Sequence, residues 1–85
     1  MKQFYYIIKD ESGMHARPAG MLIKEAEKFE ANIFIKKNNK IADAKRLFSV
    51  MGLAAKRGEE IQVTAEGSDE EAAIIAMEAF FKENL

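Results

Sequence analysis

The chain has 85 residues, a nearly balanced charge from 13 basic and 14 acidic side chains, and no cysteine. This length predicts one domain, residues 1–85, with a single core too small for a deep cavity. The absence of cysteine excludes disulfides and thiolate metal sites, and the balanced charge argues against general nucleic-acid binding. The first apolar run is short and ends at Lys9, and no run reaches membrane-spanning length. We therefore expect a cytoplasmic protein without membrane insertion.

The first half of the chain predicts three strands and one helix. Phe4–Ile8 is aromatic and β-branched, as is typical of a strand. Apolar residues at helical spacing predict a helix over Ala16–Phe29. Strands follow at residues 32–37 and 40–43, and Asn38-Asn39 between them is a candidate hairpin turn because asparagine tolerates positive φ.

The second half predicts a short helix over Lys45–Ala55, a strand over Glu60–Ala65 and a final helix. Ser68 and Glu71 have the spacing of a capping box at the start of the final helix. That helix directs a set of apolar residues toward the core, namely Ala73, Ile74, Met77, Phe80 and Phe81. The order β-α-β-β-α-β-α predicts an α+β sandwich, in which helices cover one face of an antiparallel sheet.

His15 is the only histidine, and it lies directly before the first predicted helix. The first amides of a helix lack intrahelical partners and carry positive partial charge, so they favour a bound anion. A neutral imidazole is a nucleophile near pH 7, and Arg17 adds a guanidinium two residues later. Gly13 allows the preceding loop to turn sharply. The pattern suits a side chain that accepts an anionic group and passes it on.

Two other interpretations of these residues stay open. His15 could be a solvated histidine at a helix start without a chemical role, and Arg17 could be a surface ion-pair residue. Hydrolysis is disfavoured because the chain has no second histidine and no cysteine, and neighbouring acids lack catalytic spacing. A lone histidine cannot form a metal site, so we expect no metal and no cofactor.

The middle helix is apolar over more of its circumference than one core-facing stripe requires. We therefore expect part of it to face solvent and to bind partners, since exposed apolar patches mark interaction sites and methionines adapt to several partners. The predicted patch contains Met14, Met21, Leu47, Phe48 and Met51, and its basic rim contains Arg17, Lys24, Lys45 and Arg46. The alternative is that some of these residues fill the core.

The segment Gly13-Met14-His15-Ala16-Arg17-Pro18-Ala19 resembles the active-site motif G-x-H-A-R-P-A of the HPr family. These are the histidine-containing phosphocarriers of the bacterial phosphoenolpyruvate:sugar phosphotransferase system. The resemblance extends along the whole chain. It includes Lys28-Phe29, Lys45, Met51-Gly52-Leu53 and the segment from Ala65 to Glu70.

The resemblance implies an HPr-like open-faced β-sandwich, with three helices on one face of a four-stranded antiparallel sheet. It also implies that enzyme I phosphorylates His15 on Nδ1 and that enzyme IIA domains accept the phosphoryl group. Arg17, the amides of Ala16 and Arg17, and the Ser12 hydroxyl would hold that group. The protein would be a carrier rather than an enzyme, and we expect a monomer because a carrier must expose one site to several partners.

The sequence departs from many family members at Arg46. Their serine at this position is phosphorylated by a dedicated kinase, and arginine has no hydroxyl to accept a phosphoryl group. Ser49 lies nearly one turn later, and we interpret it as an ordinary helix serine. The sequence therefore predicts no regulatory serine.

Two other functions remain open. The chain could be a regulatory paralogue that binds transcriptional regulators or metabolic enzymes according to its phosphorylation state. It could also be an interaction domain in which His15 is inert.

Overall fold

The computed structural model describes all residues from Met1 to Leu85 and has the predicted order of elements. The strands are β1 (Lys2–Ile7), β2 (Asn32–Lys37), β3 (Lys40–Asp43) and β4 (Glu60–Glu66). The helices are α1 (Ala16–Ala26), α2 (Leu47–Gly52) and α3 (Glu70–Asn84). None of these helices is both long enough and apolar enough to span a membrane.

The four strands form one sheet in the order β1-β4-β2-β3, and every neighbouring pair is antiparallel. Val63 of β4 lies at its centre, opposite Phe4 of β1 on one side and Ile35 of β2 on the other. The hairpin between β2 and β3 turns at Asn38-Asn39 as predicted, and Asn38 has a φ of 55°.

Side chains alternate between the two faces of the sheet. Ile33, Ile35 and Val63 are buried under the helices, whereas Phe34 on the opposite face is partly open to solvent. Phe81 of α3 is fully buried among aromatic side chains. The helices therefore cover one face and leave the other open, as expected for an open-faced sandwich.

Two helices are shorter than predicted. Helix α1 ends at Ala26, since Lys28 and Phe29 donate to carbonyls three residues back, which tightens the last turn. Helix α2 begins at Leu47, because the Asp43 carboxylate accepts the amide of Lys45 at 2.9 Å and holds that residue in the preceding turn. Local periodicity does not reveal such competing contacts.

The predicted capping box of Ser68 and Glu71 is wrong. Asp69 is the N-terminal capping residue of α3, yet its carboxylate accepts the amides of Glu30 and Ala31, each at 2.8 Å. The Glu30 amide, more than the Ala31 amide, lowers the pKa of Asp69 below its ordinary value. Asp69 therefore joins two distant segments rather than capping its own helix.

Candidate functional site

His15 is the N-terminal capping residue of α1, but its imidazole makes no capping hydrogen bond. Its backbone is extended, with φ of −96° and ψ of −175°. Its carbonyl accepts the amide of Ala19 at 3.0 Å and so begins the helical hydrogen bonding. The side chain is exposed and remains available for chemistry.

The loop before His15 is held by a backbone contact with a distant loop. The Met14 amide donates to the carbonyl of Ala55 at 2.8 Å. Gly13 has a φ of 65°, and a Cβ added to it would lie 2.4 Å from the same carbonyl oxygen. Only glycine allows the backbone at this position to lie so close to the Ala55 carbonyl. The role of Ala55 is not predictable from the sequence, because a contact across about 40 residues leaves no local pattern.

The start of α1 has two backbone amides without acceptors. Hydrogen bonding within the helix begins at Ala19, and Pro18 has no N–H, which leaves the amides of Ala16 and Arg17. No acidic side chain lies in the first turn of α1. The positive end of the helix dipole is therefore not neutralised and favours an anion beside the imidazole.

Two side chains expected to bind the anion lie near this helix start without a hydrogen bond to His15. Arg17 is exposed, and its Nη1 lies 3.8 Å from the sulfur of Met21, one turn along α1. Ser12 is also exposed, and its amide donates to the Asp10 carboxylate at 2.9 Å. Both side chains can change rotamer into solvent, because neither is packed against the core.

An exposed apolar surface lies on α1 and α2. Phe48 is 84% exposed, and Met21 and Leu47 are also exposed. Met51 is half-buried against the core. The assignment of Met14 to this surface is wrong, because Met14 is 5% exposed and its side chain points into the core.

The basic rim consists of Arg17, Lys24 and Arg46, all of which are exposed. The Nε of Arg46 lies 3.6 Å from the Asp43 carboxylate, so part of its charge is balanced within the chain. Lys45 is half-buried, and its place in the rim stays a prediction. Its Nζ donates to the Phe29 carbonyl at 2.7 Å, near the negative end of α1, which attracts a cation.

Comparison with known proteins identifies the family. The family described as "PTS HPr component phosphorylation site" matches residues 2–83. The chain belongs to the HPr family. Phosphocarrier protein HPr of Mycoplasma capricolum is 47% identical over 77 residues, which are 91% of this chain and 86% of that protein.

Solved HPr structures have the same fold. The histidine-containing phosphocarrier protein of Mycoplasma aligns with a TM-score of 0.93 and 43% identity, over 96% of this chain and 93% of that one. An HPr dimer from Thermoanaerobacter tengcongensis aligns with a TM-score of 0.77 and 37% identity, over 98% of this chain and 95% of that one. The protein is thus a phosphocarrier of the phosphotransferase system with the HPr fold.

Proposed function

We propose that His15 accepts a phosphoryl group on Nδ1 from enzyme I and passes it to enzyme IIA domains. This proposal rests on one observation: an exposed imidazole that makes no capping hydrogen bond lies beside the two free amides of Ala16 and Arg17. Family membership supports the identity of the transferred group.

In the proposed reaction, the Nδ1 lone pair attacks phosphorus while the bond from phosphorus to the donor breaks. The donor leaves with that electron pair, and the product is a phosphohistidine. The phosphoryl oxygens add negative charge at the start of α1, where the amides and the Arg17 guanidinium stabilise it. In the second step, a nucleophile of the IIA domain attacks phosphorus, and His15 recovers the electron pair of the P–N bond.

We propose that both partners dock on the apolar surface formed by Met21, Leu47, Phe48 and the half-buried Met51. A residue as exposed as Phe48 contributes little to the core and loses much water-accessible area when a partner covers it. The rim of Arg17, Lys24 and Arg46 favours partners with acidic surfaces and accelerates their encounter.

Purified enzyme I and phosphoenolpyruvate provide the direct test. We expect one phosphoryl group on the protein, labile in acid, located on His15 and absent from His15→Ala. The phosphorylated protein should then transfer the group to a IIA domain. No acid-labile phosphorylation would contradict the carrier function, whereas phosphorylation without transfer to any IIA domain would favour a regulatory paralogue.

We further propose that serine phosphorylation does not regulate this carrier. Arg46 has no hydroxyl, and the Ser49 hydroxyl accepts the Asp43 amide at 3.0 Å. Mass spectrometry after treatment with HPr kinase should show no phosphoserine, while an HPr with serine at the corresponding position serves as the positive control. Stoichiometric phosphoserine would contradict the proposal.

The carrier is proposed to act as a cytoplasmic monomer, so that one copy exposes its whole docking surface to each partner in turn. Light scattering at micromolar concentration should give the mass of a single chain, 9.6 kDa. A stable dimer with Phe48 in its interface would contradict this.

A further inference from the structure

A partly buried ion pair holds the loop on which the His15 segment rests. Lys37 is at the end of β2, and its side chain is 11% exposed. Its Nζ donates to Glu59 Oε1 at 3.2 Å and to the carbonyl of Ala54 at 3.1 Å. The same Glu59 oxygen accepts the amide of Lys56 at 2.7 Å. The peptide units on both sides of Ala55 are therefore fixed.

Ala55 is also the residue that contacts the loop before His15. Its carbonyl accepts the Met14 amide at 2.8 Å and lies against Gly13. Met14 directly precedes His15, and the His15 amide donates to the carbonyl of Gly13 at 2.9 Å. A shift of Ala55 would therefore move the backbone that carries the imidazole.

The backbone at Ala54 explains why this loop needs a clamp. Ala54 has a φ of 51°, in the left-handed region that is unfavourable for residues with a Cβ. The hydrogen bond from Lys37 to the Ala54 carbonyl opposes relaxation of this conformation. The Lys56 amide, followed by Lys37, lowers the pKa of Glu59 and so favours the carboxylate form that accepts both hydrogen bonds.

We propose that Lys37 and Glu59 are positioning residues for phosphoryl transfer at His15. They fix Ala55, and Ala55 keeps the loop before His15 in one conformation. The proposal rests on the proposed function of His15. Without the clamp, the imidazole would spend part of its time in orientations that cannot react. Neither residue belongs to the apolar docking surface, so their loss should slow the transfer step without weakening partner binding.

The first test compares Lys37→Met with Lys36→Met. Lys36 is the neighbouring lysine, but it is exposed on the open face of the sheet. With enzyme I as donor, we expect Lys37→Met to lower kcat about tenfold. A permanent displacement of about 1 Å can lower a rate roughly 100-fold, and the expected loss is smaller because the imidazole is misplaced for only part of the time. The KM for the carrier should stay within about twofold. Lys36→Met should behave like the wild type, and Lys37→Arg should restore most of the rate because it keeps the charge and the donors.

The second test measures amide hydrogen exchange and does not depend on phosphorylation. In Lys37→Met and Glu59→Gln, exchange at Met14 should accelerate about tenfold more than exchange at the amides of β4. A purely structural role would accelerate both sets equally. Glu59→Gln keeps the size of the side chain and decides the question if Lys37→Met does not fold.

Either of two results would overturn the proposal. One is an unchanged kcat in folded Lys37→Met, measured beside a wild type that is phosphorylated normally. If Lys37→Met does not fold, the same result in Glu59→Gln counts instead. The other is equal acceleration of exchange at Met14 and in β4. If the wild type is not phosphorylated on His15, the proposed function fails, and selective exchange at Met14 still decides whether the clamp holds the loop.

Discussion

The starts of α1 and α3 both leave backbone amides without acceptors inside the helix, but their surroundings are opposite. Glu70 and Glu71 lie in the first turn of α3, and the Glu70 carboxylate accepts the Gly67 amide at 3.1 Å. Its second oxygen lies 2.9 Å from the amino nitrogen of Met1. The first turn of α1 has no acidic residue, and its capping residue, His15, uses no side-chain atom to bond the amides.

The contrast shows that the charges at the start of α3 serve stability, whereas the start of α1 is left free for function. Carboxylates of the chain itself stabilise the positive end of α3. The positive end of α1 lacks that stabilisation and is available to an anion from outside. A phosphoryl group on His15 would supply at α1 the charge that the glutamates supply at α3. An acid placed at the start of α1 should therefore compete with this function.

The largest effect is expected when α1 is made to resemble α3. Ala16→Glu places a carboxylate in the first turn of α1, where it repels the incoming phosphoryl group and satisfies the free amides. We expect phosphorylation by enzyme I to slow roughly 100-fold, as when a donor to a developing anion is lost. The free energy of unfolding should rise by about 0.5 kcal/mol, as for an acid at a helix start.

The matched control is Ala72→Glu in the first turn of α3, where Ala72 is also exposed. It should leave the phosphorylation rate unchanged. An Ala16→Glu protein that is phosphorylated at the wild-type rate would show that the charge at this helix start does not matter.

Arg17 is the one charged side chain in the first turn of α1. Arg17→Ala should lower the rate of phosphorylation about 30-fold, since a charge-assisted hydrogen bond is worth roughly 2 kcal/mol. Arg17→Lys should recover part of the rate, because it keeps the charge but not the guanidinium geometry. Stopped-flow or quench-flow kinetics with enzyme I would measure both. Equal phosphorylation rates for Arg17→Ala and the wild type would show that Arg17 does not contribute to the site.

Exposed apolar residues on α2, which lies beside α1, and on α3 should also differ in their effects. Phe48 on α2 is 84% exposed, and Ile75 on α3 is 64% exposed. Phe48→Ala should raise the KM of enzyme I for the carrier about tenfold, as expected for a central docking residue. Its free energy of unfolding should change by no more than about 0.5 kcal/mol.

Ile75→Ala should leave KM unchanged, because α3 lies outside the proposed docking surface. A large loss of stability in Phe48→Ala, measured by urea unfolding, would instead mean that this residue belongs to the core.

The smallest effect concerns Asp69 at the start of α3. Hydrogen bonds from the Glu30 and Ala31 amides lower its pKa, so its stabilising contribution is present above the ordinary carboxyl range and is lost as the pH falls through its folded pKa. Asp69→Asn should therefore lower Tm at pH 7, and the difference from the wild type should shrink below about pH 4. Phosphorylation of His15 should not change. A pH-independent difference in Tm would contradict this assignment.

Features encoded by neighbouring residues were predictable from the sequence. Aromatic and β-branched composition predicted β1, helical spacing predicted α1, and the motif around His15 indicated the family. The errors at Met14 and Ser68 share one physical cause, which is contact between distant segments. The Met14 side chain packs into the core, and the carboxylate of Asp69, the N-terminal capping residue of α3 in place of Ser68, accepts the Ala31 amide. Tertiary contacts of this kind leave no periodic pattern in the chain.

The free amides of α1 are proposed to hold the phosphoryl group carried by His15. The most direct measurement compares backbone amide chemical shifts by NMR before and after phosphorylation with enzyme I and phosphoenolpyruvate. The amide protons of Ala16 and Arg17 should move downfield as they bond to the phosphoryl oxygens, while those of Glu70 and Glu71 should stay in place. Phosphorylation of His15 that leaves the Ala16 and Arg17 amide protons unmoved would contradict this role of the amides.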